Sequence, residues 1–162
     1  MAHANGVGTS GLQVTEFTRN DCAKGDPAMA KILIVDDSSI VTRILSGYLI
    51  TKGHSVHVSN SPFGVTNKVR EMQPDIVLMD LGLPGLSGNS LLEMIRKLQN
   101  IGNTRIIIIS SSEERTMKEL VMKGEADDYF IKGGDIKTLD LKIAYQLERS
   151  AKSGNHAASL PT

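Results

Sequence analysis

Between Lys31 and about Arg149 the chain alternates short apolar runs with stretches in which apolar residues recur every three or four positions. Ile32–Val35, Ile76–Met79 and Ile106–Ile109 are unbroken apolar runs, as expected of strands covered on both faces. Val56 and Val58 alternate with Ser55, His57 and Ser59, which suits a strand nearer a sheet edge. Tyr129-Phe130-Ile131 supplies a fifth strand. A helical pattern follows each one. In the first helix Ile40, Ile44 and Tyr48 run beside Val41, Leu45 and Leu49 as one broad stripe. Val65, Val69 and Met72 mark the second helix, with Ser61 predicted as N-cap and Pro62 at its first position. Leu91, Leu92, Ile95 and Leu98 mark the third, Met117, Leu120 and Val121 the fourth, and Ile136, Leu139, Ile143 and Leu147 the last.

Strands alternating with helices in this way imply an α/β fold: a five-stranded parallel sheet, doubly wound as a (βα)5 three-layer sandwich with right-handed crossovers. Ligands in such sheets bind at the carboxyl ends of the strands, where strand order switches. That rule directs attention to the residue after each apolar run.

The first run ends in Asp36-Asp37, the third in Asp80, the fourth in Ser110-Ser111-Ser112 and the fifth in Lys132. All of these groups would surface on one edge of the sheet. If the first and third strands are neighbours, three carboxylates converge there. Such crowding is unfavourable without a cation, and Lys132 supplies one positive charge. A hard, oxygen-only site with residual negative charge suits Mg²⁺. Capping is the competing explanation: Asp37 or Ser38 could cap the first helix, and Ser111 with Glu114 fits a capping box. Capping accounts for neither the adjacent second aspartate, nor Asp80, nor Lys132.

Composition narrows the field further. The 162 residues carry 18 basic and 18 acidic side chains, a balance that argues against a nucleic-acid or anionic-membrane surface. No apolar run approaches the ~20 residues needed to span a bilayer, so no membrane insertion is expected. One cysteine, Cys22, excludes an internal disulfide framework and fits a reducing, cytoplasmic setting. Residues 1–28 lack periodicity and read as a flexible N-terminal tail, a leader segment ahead of Met29. Residues 29–150 are the domain, and 151–162 a second flexible tail. Gly6-Val7-Gly8-Thr9-Ser10-Gly11 matches the dinucleotide-binding string, but no strand precedes it, so it reads as incidental. His54 and His57 are expected at the surface rather than as metal ligands. Met72, Met79, Met94 and Met117 are expected to fill the core.

The segment Lys31–Arg149 closely resembles the receiver domain of bacterial response regulators, the phosphoacceptor half of two-component signalling. The likeness runs through Ile34-Val35-Asp36-Asp37-Ser38, through the stretch from Asp75 to Gly88 that contains Asp80-Leu81-Gly82-Leu83-Pro84-Gly85, and through Ile109-Ser110 and Tyr129-Phe130-Ile131-Lys132. The resemblance implies a flavodoxin-like strand order 2-1-3-4-5. It implies that Asp80 accepts a phosphoryl group from a phosphohistidine on a sensor histidine kinase or phosphotransfer protein. Asp37, Asp80 and the Gly82 carbonyl would hold Mg²⁺, with Asp36 acting mainly through water, while Lys132 and Ser110 would stabilise the phosphoryl group. Ser110 and Tyr129 would form the switch that reshapes the face of the fourth helix, fifth strand and fifth helix. Gly82, Ser111 and Ser112 would leave the pocket accessible. Output is then expected through a downstream protein target, onward phosphotransfer or a phosphorylation-dependent homodimer, since neither tail has room for an output domain. Such a protein is a signalling switch rather than an enzyme.

One departure stands out. The family normally places proline after the lysine of the fifth strand, often with a cis bond, whereas Lys132 is followed by Gly133-Gly134. A cis bond without proline costs about 2.5–4 kcal/mol, so a trans or mobile loop with looser switching is expected. This loop keeps open a second reading, a phosphorylation-independent receiver-like adaptor. A third, an aspartate-nucleophile phosphatase, would need a second aspartate two positions after the nucleophile. Ser38 and Gly82 stand there instead.

Overall fold

The apolar runs pair into one parallel sheet. The computed structural model describes residues 29–155, so the expected tail 1–28, with Cys22 and the Gly6–Gly11 string, lies outside it, as do residues 156–162. The strands are β1 (Lys31–Val35), β2 (Ser55–Ser59), β3 (Ile76–Met79), β4 (Arg105–Ser110) and β5 (Asp128–Ile131). Their order is β2-β1-β3-β4-β5, with every neighbouring pair parallel. Between them run α1 (Ser39–Thr51), α2 (Val65–Met72), α3 (Gly88–Arg96) and α4 (Glu114–Met122), and α5 (Ile136–Asn155) closes the described chain.

Alternation along the central strands divides the interior in two. Leu33, Val35, Val77, Met79, Ile106 and Ile108 face one layer of helices, where Val65, Val69, Leu91, Leu92, Ile95, Met117 and Leu120 cover them. Ile32, Ile34, Ile76, Leu78, Ile107 and Ile109 face the other, under Leu45, Leu49, Leu139 and Ile143. The central strands β1, from Ile32 onward, and β3 are therefore apolar at every step, and β2 at the edge is partly exposed. Register puts Val35 beside Met79 and Ser110 beside Ile131, so the strands end nearly level.

Several local expectations are corrected. In α1 the buried positions are Thr42, Leu45 and Leu49, which leaves Ile40 and Ile44 exposed, because the broad stripe is turned to bring only one side onto the sheet. Ser61 does not cap α2. Its hydroxyl accepts from the Phe63 amide in a tight turn, and α2 starts after Gly64, whose φ of +78° only glycine adopts freely. Ser111 and Glu114 form no capping box; α4 starts after Glu113 without a side-chain cap. The C-terminal tail does not begin at 151, because α5 continues through Asn155. Ala151 and Lys152 favour helix, and the last turns are tied down by hydrogen bonds from Ser150 Oγ to the Asn103 carbonyl and from Arg105 Nη2 to Ser153 Oγ. Met94 is exposed rather than core, whereas Met79 and Met117 are fully buried. His54 is buried too, its Nδ1 accepting from the Ala30 amide at 3.2 Å, while His57 is exposed. Among the described residues no helix is long and apolar enough to cross a membrane.

Candidate functional site

Level strand ends bring Asp36, Asp80, Ser110 and Lys132 to one rim. Each follows or ends a strand held by the ladder. The Asp36 amide donates to the Ser59 carbonyl at 3.1 Å, the Asp80 amide to the Val35 carbonyl at 2.9 Å, and the Lys132 amide to the Ser110 carbonyl at 3.0 Å. Asp36 is fully buried and Asp80 nearly so, while Asp37 is exposed. One carboxylate oxygen from each of these three lies within 4.8 Å of the others.

Lys132 sits between the two buried carboxylates. Its Nζ lies 2.7 Å from Asp36 Oδ2 and 2.8 Å from Asp80 Oδ2. Burial pulls the Lys132 pKa down, but the bonds to Asp36 and then Asp80 more than offset this, and the ammonium form is held above its usual range. The second oxygens are anchored locally: Ser38 donates its amide to Asp36 Oδ1 at 2.9 Å, and Gly82 its amide to Asp80 Oδ1 at 3.1 Å. Ser38 also caps α1, its hydroxyl accepting from the Val41 amide. Capping and the acidic pair thus coexist, because the cap uses Ser38 and leaves Asp37 free to face the rim.

The rest of the predicted set surrounds this core. Ser110 is buried, and its hydroxyl donates to Ser112 Oγ at 2.9 Å while accepting from the Ser112 amide. Ser111 and Ser112 are exposed, and Gly82 is exposed beside Asp80, where a Cβ would stand 3.5 Å from Asp80 Oδ2. Tyr129, half-buried, points its hydroxyl outward and donates to Glu114 Oε1 at 2.7 Å. Lys142 lies over its ring at 5.1 Å. Gly133 has φ +86°, far from the −65° that proline imposes, so this loop takes a course proline could not follow.

Sequence reasoning missed three contributors. Gly88 opens α3 against the loop that carries Asp80: a Cβ there would lie 2.4 Å from Leu81 Cα. Glu114 holds the Tyr129 hydroxyl, and Asn60 holds the Asp36 carbonyl. None carries a periodic or spacing signal, since each acts through a contact distant in the chain. Only a glycine at the first helical position, where it weakens a helix, was a readable hint.

The donor set is all oxygen, clustered, acidic and only partly neutralised by Lys132, which fits a hard divalent cation better than a thiophilic one.

The chain is similar to known proteins in sequence and fold. The profile of the response regulator receiver domain matches residues 32–144. The protein PilH of Pseudomonas aeruginosa is 36% identical over 112 residues, covering 68% of this chain and 92% of PilH. The transcriptional regulatory protein YvcP of Bacillus subtilis is 29% identical over 133 residues, covering 82% of this chain and 54% of YvcP. The chain thus spans about half the length of several curated transcriptional relatives. A response regulator receiver domain protein from Methanospirillum hungatei superposes with a TM-score of 0.70 at 24% identity, covering 77% of this chain and 98% of that one. The response regulator protein TrrA from Thermotoga maritima, solved in complex with Mg²⁺-BeF, gives a TM-score of 0.64 at 24% identity, covering 73% of this chain and 99% of that one. With the family profile spanning the sheet and the acidic rim in place, the chain belongs to the receiver domains of two-component response regulators.

Proposed function

We propose that the protein is a phosphorylation-controlled switch in which Asp80 is the acceptor. The observation that carries this is Lys132 bridging Asp36 and Asp80 while three carboxylate oxygens lie within 4.8 Å of one another. The donor is a phosphohistidine on a sensor histidine kinase or phosphotransfer protein. An Asp80 carboxylate oxygen attacks phosphorus, the P–N bond breaks, and the leaving imidazole takes up a proton as an acyl phosphate forms. Hydrolysis reverses the state: water attacks phosphorus, and inorganic phosphate leaves a free carboxylate.

Asp36, Asp37, Asp80 and the Gly82 carbonyl would hold Mg²⁺, which when bound neutralises the phosphoryl oxygens. The chain's own residues do the remainder. Lys132 is already charged and placed, so it can transfer its contact from Asp80 Oδ2 to a phosphoryl oxygen with little reorganisation. Ser110 turns its hydroxyl from Ser112 Oγ to the new acceptor. Gly82 and the two serines leave the rim open, so the acyl phosphate is short-lived.

The added charge is read through the Ser110 and Tyr129 positions. Tyr129 leaves Glu114 and rotates inward, changing the α4-β5-α5 face for a downstream protein. The protein modifies only itself and so acts as a switch rather than an enzyme, in the cytoplasm. Output is then by docking on that protein or by onward phosphotransfer.

Incubation with Mg²⁺ and a small phosphodonor, read by intact mass, tests this. Wild type should gain one phosphoryl group and Asp80→Asn none. An unmodified wild type with Mg²⁺ bound would favour the phosphorylation-independent adaptor, a reading the Gly133-Gly134 loop supports.

A further inference from the structure

The acidic pair is held from the side by a residue outside the predicted site. Asn60 follows the last residue of β2, the edge strand next to β1. Its Nδ2 donates to the Asp36 carbonyl at 3.0 Å and approaches Thr42 Oγ1 at 3.4 Å. A carbonyl oxygen only accepts, so the atom facing it is the amide nitrogen rather than the amide oxygen. Thr42 is buried in α1, and its own hydroxyl donates to the Ser39 carbonyl. Asn60 thus ties the end of β2 to the loop and first turn that carry Asp36 and Asp37.

Where this bond falls matters more than its strength. The Asp36 amide already donates to the Ser59 carbonyl at 3.1 Å, continuing the β1–β2 ladder one step past the strands. Asn60 then supplies from its side chain the donor that the next backbone amide would have offered. The Asp36 carbonyl belongs to the rigid peptide unit joining Asp36 to Asp37, so fixing that oxygen fixes the plane from which Asp37 departs. The Asp36 side chain needs no such help, being buried and held by Ser38 and Lys132. Asp37 is exposed, and among the described residues no hydrogen bond or ion pair tethers its carboxylate. Its aim at the Asp80 rim therefore depends on the main chain beneath it.

We infer that Asn60 is a positioning residue for the cation site: by clamping the Asp36–Asp37 peptide to the end of β2, it orients Asp37 toward Asp80. This rests on the cation-dependent reading above. Residues that orient ligands typically alter metal affinity by about 10–100-fold when removed.

The test compares wild type with Asn60→Ala and with Asn60→Leu, which is nearly isosteric but lacks the amide. Calorimetric titration with Mg²⁺ alone should show both variants weakened about tenfold. Amide hydrogen exchange of the metal-free proteins should be faster at Asp36 and Ser38, whose amides donate to the Ser59 carbonyl and to Asp36 Oδ1, in both variants, with the melting temperature near wild type. Wild-type affinity and exchange in the variants would overturn the inference. So would a loss of affinity accompanied by faster exchange across the whole sheet, the mark of a merely structural residue. A wild type that binds no Mg²⁺ would sink the proposed function instead; exchange at Asp36 and Ser38 in the metal-free proteins would still decide the clamp.

Discussion

A methyl group at position 88 tests how tightly the loop that carries Asp80 is docked. Gly88 is the first residue of α3, and a Cβ built on it would stand 2.4 Å from Leu81 Cα and 2.9 Å from the Asp80 and Leu81 carbonyl oxygens. These are backbone atoms, so relief requires moving either α3 or the loop that carries Asp80. Two effects compete. Alanine is better than glycine inside a helix by about 1 kcal/mol, a gain that is smaller at the first turn. Forcing a methyl into filled space costs about 1–3 kcal/mol, occasionally more, and here the contact lies more than ~1 Å inside the optimum for two carbons. The steric effect wins, for a net loss of about 2 kcal/mol. In a domain of this size that lowers Tm by roughly 5–10 °C. Urea denaturation followed by circular dichroism should show a lower midpoint at unchanged m. Phosphorylation of Asp80 by a small donor should also slow as the loop shifts. A Gly88→Ala protein as stable as wild type would refute the reasoning, because it would mean the loop yields without cost.

Other outcomes follow from the same contacts. Lys132→Met leaves Asp36 and Asp80 buried without their shared cation, so stability without Mg²⁺ should fall by about 3–5 kcal/mol; urea midpoints should recover in part when Mg²⁺ is added, and equal losses with and without it would contradict this. Burial holds the His54 imidazole below its ordinary pKa, against the pull of Asp140 and with the help of Lys52. The unfolded chain therefore takes up a proton on His54 first, and stability should drop as pH falls below the usual value of about 6.5; His54→Gln should flatten the midpoint between pH 7.5 and 5.5, and an unchanged slope would count against it. The Glu114 hydrogen bond holds the Tyr129 phenol above its ordinary range, followed by burial, so Glu114→Ala should move tyrosinate titration to lower pH, and a Tyr129→Phe background should abolish the difference.

The parts of the fold that were legible are those whose energy comes from continuous burial. Ile32–Val35, Ile76–Met79 and Ile106–Ile109 have no polar face, so only interior parallel strands suit them. Helix starts were harder. Ser61-Pro62 has the chemistry of a helix N-terminus but is spent on a turn, because Gly64 redirects the chain before α2 can begin. Ile40 and Ile44 misled because a stripe apolar on two adjoining sides does not reveal which side meets the sheet. His54 escaped because its partner is a main-chain amide 24 residues earlier. At the site, Asp36, Asp80, Ser110 and Lys132 were readable because each abuts an apolar run, which fixes its height on the sheet. Asn60 and Glu114 sit in polar stretches and matter only through contacts that folding creates.

Lys132 also sets the electrical logic of the pocket. Three carboxylates and one ammonium leave it two charges negative, a field that repels an incoming phosphoryl group. One divalent cation bound there would cancel that field. On the proposed function, a chain built this way would respond to a coincidence rather than to a single input: the donor protein would have to arrive while the cation is present, and either alone would meet a closed door.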